Sequence, residues 1–416
     1  MTEDQYLLES RPGSQRPIEV VCICGGYGFP YGIASTDRVR MLGKAFLSRG
    51  IDFRLLHCGT SPLNGNTERK GTHAGIRFEY TSPVVRRPSS KVVRAIVYLY
   101  AYVVLTLRLF QLRPRKGAKR VVYLFLLGGP AQVYVTTICR MLRLPVIQDV
   151  CEWWPGTEKH SWFTEWVYHR FMLRSASGAV AISRVIEDRL EEISAHVSSP
   201  MHVLRVPVLL DSNQIAAVPT NTRNGLPYVL WLGSVDGYPQ DVRFIIEAVA
   251  RANRDGVASR LVCVGFASET AKVGAAEMAK ASGLAPDVVE VTGFVPDETM
   301  RELCMTASAL MLPMWKDDRS LTRYPHKIGD YLMAGRPVIT CAVGEIAALL
   351  EDNVSAVFYE PGDIQSCADK IRQLHENPQQ ADEIGRRGRE CARGSLDYRV
   401  YARPLEMLAT DVLSLA

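Results

Sequence analysis

The 416-residue chain has ten cysteines but no CxxC pair, and several of the ten lie inside apolar runs. That pattern argues against a disulfide framework and for reduced core thiols in a reducing compartment, so a cytoplasmic setting is expected. The eight histidines show no ligand spacing, and no structural or catalytic metal is expected. A signal peptide's apolar core is missing from the opening MTEDQYLLESRPGSQR, and residues 1–16 read as a disordered leader. The net charge of +5 is spread over many acids and bases, which gives no argument for nucleic acid.

What is present is an ordinary globular composition, 47% apolar and 22% charged. The length exceeds one common core, and two α/β domains of about 200 residues each are the default. Ile18 to Cys24 reads as a strand, Gly25 to Ala34 as a glycine-rich loop, and Ser35 to Arg49 as a helix with Val39, Leu42, Phe46 and Leu47 on one stripe. Further strands are expected at Phe53–Leu56, Val121–Leu127, Val146–Gln148 and Gly178–Ile182. Helical patterns separate most of them, which predicts a parallel, doubly wound sheet.

A polar segment, Asp211 to Gly225, then suits an exposed linker. After it a second series begins, in which Tyr228–Leu232 runs into Gly233, Ser259–Val264 into Gly265, Val288–Thr292 into Gly293, and Ala309–Leu312 into Pro313. Residues 17–212 and 213–395 therefore form two Rossmann-like halves facing across a cleft. The last helix, about Tyr398 to Leu415, has the option of crossing back onto the first half.

The most informative stretch is MLPMWKDDRSLTRYPHKIGDYLMAGRPVI, residues 311–339. Charged side chains there stand between a buried strand and a helix that Gly335 and Pro337 bring to an end. In an open α/β sheet, the loop after a strand's carboxyl end and the helix it feeds form the usual seat of an anion.

These two halves resemble the GT-B fold. GGYGFPYGIASTDRVRMLGKAFLSRG, VLWLGSVDGYPQDVRFIIEAVA, LVCVGF, VTGFVP and AGRPVI resemble, in order, landmarks of the retaining family-four glycosyltransferases. The likeness runs through most of residues 18–395. It implies a UDP- or GDP-sugar as donor, a hydroxyl-bearing glycan, lipid-linked or small-molecule acceptor, no resident cofactor and no obligatory metal. A role in polysaccharide or glycolipid assembly fits the same likeness.

The family's paired glutamates flank the donor phosphates, and Asp330 matches the second of them. The first is replaced by a longer loop in which Asp317 is the candidate, and Arg323 to Tyr331 resembles a branch with the pattern R, aromatic, P, x, K, x, x, acid, aromatic. Negative charge grows on a departing diphosphate, so fixed cations aimed there lower the barrier. Arg323 and Lys327 are the candidates for that work, while Asp330 would accept hydrogen bonds from ribose or sugar hydroxyls. The alternative for this pair is an exposed i, i+3 contact between Lys327 and Asp330 on a helix surface.

Gly25, Gly26 and Gly28 would bring main-chain N–H groups to the same anion, although Gly26-x-Gly28 fails the dinucleotide pattern because Tyr31 stands where a third small residue is needed. Gly233 and Gly265 join the donor-binding set, and Phe294 with Val295 would meet the nucleobase. In DVCEWWP, which resembles a DxHE segment near the transferred sugar, Cys151 replaces the histidine and leaves Asp149 and Glu152 as candidates. Ser234 and Gln240 stand where many members carry Arg and Lys. A sugar-nucleotide epimerase of the same fold and a non-catalytic nucleotide-sugar-binding protein remain the alternatives.

Between residues 86 and 120 an apolar run, Ala95 to Leu107, is bracketed by basic residues. It is shorter than the ~20 residues that span a bilayer. Two readings stand: an interfacial helix with a basic rim, which would place the protein peripherally at the inner face of a membrane, and a helix buried against the first sheet with a solvated basic end. The buried helix is the commoner arrangement and the expectation here.

Overall fold

The computed structural model describes residues 18–113, 118–127, 129–153, 162–197, 201–213 and 227–415. The expected leader and most of the expected linker lie outside the described residues.

The first domain alternates strand and helix. Its elements are β1 (Glu19–Cys24), α1 (Ala34–Ser48), β2 (Asp52–His57), β3 (Lys70–His73), β4 (Ile76–Tyr80), α2 (Lys91–Leu112) and β5 (Arg120–Phe125). Then come α3 (Gly129–Met141), β6 (Val146–Val150), α4 (Trp162–Val167), β7 (Gly178–Ala181), α5 (Arg184–Ala195) and β8 (His202–Arg205). The sheet order is β3-β4-β2-β1-β5-β6-β7-β8. Every pairing is parallel except β3 with β4.

That exception is a hairpin whose turn residues, Ala74 and Gly75, both take positive φ, the conformation a tight two-residue connection demands. Side chains of the central strands split by the two-residue period. Val20, Cys22, Val121 and Tyr123 enter one core with Val39, Leu42 and Phe46 of α1, whereas Val21, Ile23, Val122 and Leu124 enter another beneath α2 and α3.

Helix α2 corrects the sequence reading. It runs for 22 residues, well beyond the apolar run, and only Val97, Ala101, Leu105, Leu109 and Leu112 are buried. Those five form one stripe against the sheet, and the opposite face is open to solvent. The reason is geometric: a helix lying on one side of a sheet has a single face to cover, and this one is apolar nearly all round.

The second domain contains β9 (Tyr228–Leu232), α6 (Pro239–Arg254), β10 (Arg260–Val264), α7 (Glu269–Ala281), β11 (Val289–Gly293), α8 (Asp297–Thr306) and β12 (Ala309–Met311). It continues through α9 (Asp318–Thr322), α10 (Lys327–Ala334), β13 (Val338–Thr340), α11 (Glu345–Leu349), β14 (Val357–Phe358), α12 (Ile364–Glu376) and α13 (Pro378–Ser395). Six parallel strands lie in the order β11-β10-β9-β12-β13-β14. β9 sits in the middle with all five residues buried.

Helix α14 (Tyr398–Ser414) leaves this domain and packs on the first. The crossing is pinned by Leu210, whose N–H donates to Leu396 O at 2.9 Å while its own carbonyl accepts from Tyr398 N–H at 3.0 Å. Leu405, Leu408 and Val412 then fill the same core as α1. The domains also touch at the mouth between them. Ser183 Oγ donates to Thr322 O at 2.6 Å, and Glu345 accepts from the Arg184 N–H that opens α5, also at 2.6 Å.

Candidate functional site

The carboxyl ends of the second sheet form a floor of close-packed backbone. Gly265 has φ +137°, and a Cβ there would lie 2.1 Å from Gly233 O. Only glycine lets these two strand ends meet. Gly293 also takes a positive φ, +77°, in open space, and its carbonyl accepts from Gly265 N–H at 3.0 Å. Beyond each of these last two glycines stands a phenylalanine. Phe266 and Phe294 are 49% and 75% exposed, with ring centroids 6.3 Å apart. The ring planes are inclined at 54°, so each exposed ring offers a face on which a flat group can stack. Val295 is half-buried beside Phe294.

At the neighbouring strand end the cations gather. The Lys327 ammonium donates to Leu232 O and lies 4.7 Å from the Trp231 ring centroid and 5.8 Å from that of Tyr238. Burial pushes it down to about 8; Asp241 resists this and Arg323 adds to it. Arg319 stacks on Tyr238 at 5.0 Å and donates to its hydroxyl at 3.0 Å.

The Arg323 Nε is buried with no partner among the described residues, and one terminal nitrogen reaches only Met314 Sδ, at 3.9 Å. Asp241, an acid close by, accepts from Trp315 Nε1 at 2.8 Å, and burial raises its carboxyl. Among the described residues neither Arg323 nor Lys327 forms an ion pair. A cavity of about 190 Å³ opens here, lined by Tyr238, Gln240, Asp241, Trp315, Asp317 and Arg323. A buried ammonium and a buried guanidinium nitrogen with no hydrogen-bond acceptor are costly, and a bound anion offsets that cost.

The acids fall into different roles. Asp317 caps α9 by accepting from Ser320 N–H at 2.7 Å, so one of its oxygens serves the helix although the residue borders the cavity. Asp330 makes no ion pair with Lys327, whose nitrogen points to the floor instead. It is open to solvent yet surrounded by protein on most sides. Burial raises its carboxyl, His326 draws it back, and Asp37 of α1 raises it from across the cleft.

Asp149 is not available to a substrate, contrary to expectation. It accepts from Arg38 Nε and Nη2, each at 3.0 Å, from the Tyr123 hydroxyl at 2.6 Å and from Cys151 Sγ at 3.1 Å. Its side chain is 0% exposed. Four donors use the four acceptor directions of a carboxylate, and the pair holds the core of the first domain. Glu152, one turn further, is exposed.

The glycine loop after β1 leads to α1, which carries Asp37, and of its residues 25–28 only Gly26 is exposed. Gly26 has φ +82°, and a Cβ on Gly28 would lie 2.3 Å from Asn66 Nδ2 and 2.6 Å from Ser61 Oγ. Among the described residues no acceptor takes the N–H of Gly26, Tyr27 or Gly28. Gly25 is packed tightly against Cys58, to which an added Cβ would come within 3.1 Å.

Sequence reasoning missed Trp231, Tyr238, Asp241, Trp315, Arg319 and Phe266. For Phe266 a signal was present, because Gly-Phe follows both β10 and β11. Trp231 and Trp315 gave none, since an apolar ring beside a strand reads as core.

Residues 226–377, which span this floor and its cations, match the profile of the family described as "Glycosyl transferases group 1". That likeness in sequence lies within the second domain. Solved structures carry the likeness over the whole chain. A sucrose-phosphate synthase from Thermosynechococcus elongatus superposes with TM-score 0.71 at 16% identity, over 96% of this chain and 100% of the other. HepE from Anabaena, solved with UDP and glucose, gives TM-score 0.70 at 14% identity over 94% and 99%. WaaG, a glycosyltransferase involved in lipopolysaccharide biosynthesis, gives 0.60 at 16% over 94% and 99%. The two domains together therefore have the GT-B fold. No curated protein sequence matches the chain.

Proposed function

We propose that this protein is a group 1 glycosyltransferase that moves a sugar from a nucleoside-diphosphate sugar, a UDP-sugar in the first instance, to a hydroxyl acceptor with retention of anomeric configuration. The carrying observation is the pair Arg323 and Lys327: two half-buried cations that form no ion pair among the described residues, placed at strand ends beside two exposed aromatic rings. A nucleoside diphosphate has the complementary layout, a flat base joined to a dianionic group. The UDP complex of HepE supports the choice of base.

In this reading the base lies against Phe294 and Phe266, and Asp330 accepts from ribose or sugar hydroxyls. The diphosphate meets Lys327 and Arg323 on one side and the N–H groups of Gly26 to Gly28 on the other. The bond from the anomeric carbon to phosphate oxygen breaks while the acceptor oxygen forms its own bond on the same face. The acceptor's proton passes to the departing phosphate, so no carboxylate nucleophile is required. Fixed cations at the leaving group stabilise the charge that develops there. They supply that charge without a metal, so transfer is expected to persist in EDTA. Glu152, the exposed carboxylate just after β6, would orient the acceptor. Work in cytoplasmic assembly of a polysaccharide or glycolipid is part of the same proposal.

The test is a panel of UDP- and GDP-sugars incubated with glycan and lipid-linked acceptors, read by nucleotide release and by proton NMR of the new linkage. Retention in the product supports the proposal. Release of an isomerised sugar nucleotide with no acceptor consumed points to an epimerase, and an inert protein that still binds UDP points to a binding role.

A further inference from the structure

Helix α2 leaves a long apolar face uncovered. Val92, Ile96, Leu99, Val103, Leu107 and Phe110 follow one another at three- and four-residue steps, and all six are exposed, Leu99 to 68%. That spacing puts them on one side of the helix, opposite the stripe buried on the sheet. The face extends for roughly 27 Å at 1.5 Å per residue. An exposed apolar surface of this length is unusual for a solitary soluble domain.

Charge shows what covers it. Between Glu79 and Asp149 the sequence has twelve Lys or Arg and no Asp or Glu. Setting those twelve aside from the 49 bases leaves 37 against 44 acids, so the remainder of the chain is acidic and its positive excess is concentrated around this helix. Arg86, Arg87 and Lys91 are exposed at the start of α2 and Arg113 at its end, while Arg108 is committed to Glu79 at 2.7 Å. Two copies of the chain meeting through this face would bring like charges together. An anionic surface with an apolar interior is complementary to both features.

We propose that the outer face of α2 and its basic ends form a docking surface for an anionic lipid bilayer. The helix is long and apolar enough to cross a membrane by length and composition, but it lies along the surface and does not span. Val97, Ala101, Leu105 and Leu109 are sealed against the first sheet, and the Arg108–Glu79 pair ties the helix to β4. The apolar residues enter the acyl boundary while the cations stay at the headgroups. The helix also reaches the cleft edge, where the Tyr98 hydroxyl lies 3.5 Å from Thr60 Oγ1 in the loop after β2.

Vesicle binding tests this without donor or acceptor and is read independently of catalysis. The full chain is sedimented with phosphatidylcholine vesicles and with vesicles enriched in phosphatidylglycerol. Binding to the anionic vesicles is expected to be stronger by about tenfold or more and to weaken as salt is raised. The triple variant Ile96→Ser, Leu99→Ser, Val103→Ser is expected to lose about tenfold or more, with an unchanged melting temperature because all three side chains are already in water. Arg86→Glu with Arg87→Glu is expected to abolish the preference for anionic lipid, and Val273→Ser, an exposed change on α7, to have no effect. Equal binding by wild type and both variants would overturn the proposal, as would no vesicle binding at all. So would a dimer on size-exclusion chromatography that the serine variant converts to monomer, which would assign the face to a second copy.

Discussion

Raising the pH should weaken nucleoside diphosphate binding through one group, Lys327. Burial, reinforced by Arg323, holds its ammonium down at about 8 in the free protein. A diphosphate beside it favours the charged form and moves the group back toward the ordinary lysine range. Affinity is therefore full below about pH 8 and falls as pH rises through it. One unit below that midpoint roughly nine-tenths of the lysine carries its proton, and one unit above roughly one-tenth, so the Kd for UDP should weaken about tenfold, or about 1.4 kcal/mol. The stability of the ligand-free protein should move the other way. With the folded value lowered below the unfolded one, the unfolded chain binds more protons between the two values, and stability rises with pH across that window.

Titration calorimetry with UDP, paired with thermal melts of the free protein, reads both trends. Lys327→Arg, charged throughout, should bind UDP with a flat profile, and any titration of the ligand itself will appear equally in the variant. A wild-type Kd that does not change over this range, or that changes identically in Lys327→Arg, would refute the assignment.

Three further outcomes follow from the same geometry. Asp149→Asn should destabilise the first domain by about 3–5 kcal/mol in urea unfolding, because it leaves Arg38 buried with carbonyls alone, while UDP affinity of the folded fraction stays unchanged. Phe294→Ala combined with Phe266→Ala should cost about 1–3 kcal/mol of UDP affinity and leave pyrophosphate binding intact, since only the base meets the rings; equal losses for both ligands would place the base elsewhere. Gly265→Ala should lower the melting temperature, because the new methyl meets Gly233 O at 2.1 Å and the backbone is held where L residues are strained, which alone costs about 1–3 kcal/mol.

The central strands were legible in the sequence for a physical reason. Strands such as β1, β5 and β9 are covered on both faces and so read as continuous apolar runs ending at a turn former. The edges were not: β3 (Lys70–His73) is polar and partly exposed, and β8 and β14 are short, so neither periodicity nor composition marks them. Helix α2 was misjudged because an all-round apolar helix reads as buried, and sequence cannot count how much sheet is available to cover it.

Arg323 and Lys327 stood out in the sequence because charges between a buried strand and a helix start need a partner, and the structure brings both close to Asp241. The aromatic walls did not, because Trp231, Tyr238 and Trp315 have the same local signature as core residues. Asp149 was misassigned for a different reason. Its partner Arg38 lies 111 residues upstream, and no local pattern reveals a pairing made only by the fold.

The most direct test of the account is a crystal structure of the protein with UDP. The expected electron density puts the distal phosphate within hydrogen-bond reach of Lys327 Nζ and the Arg323 guanidinium, with uracil against Phe294. A diphosphate bound away from both cations, with their side chains still resting on Leu232 O and Met314, would contradict it.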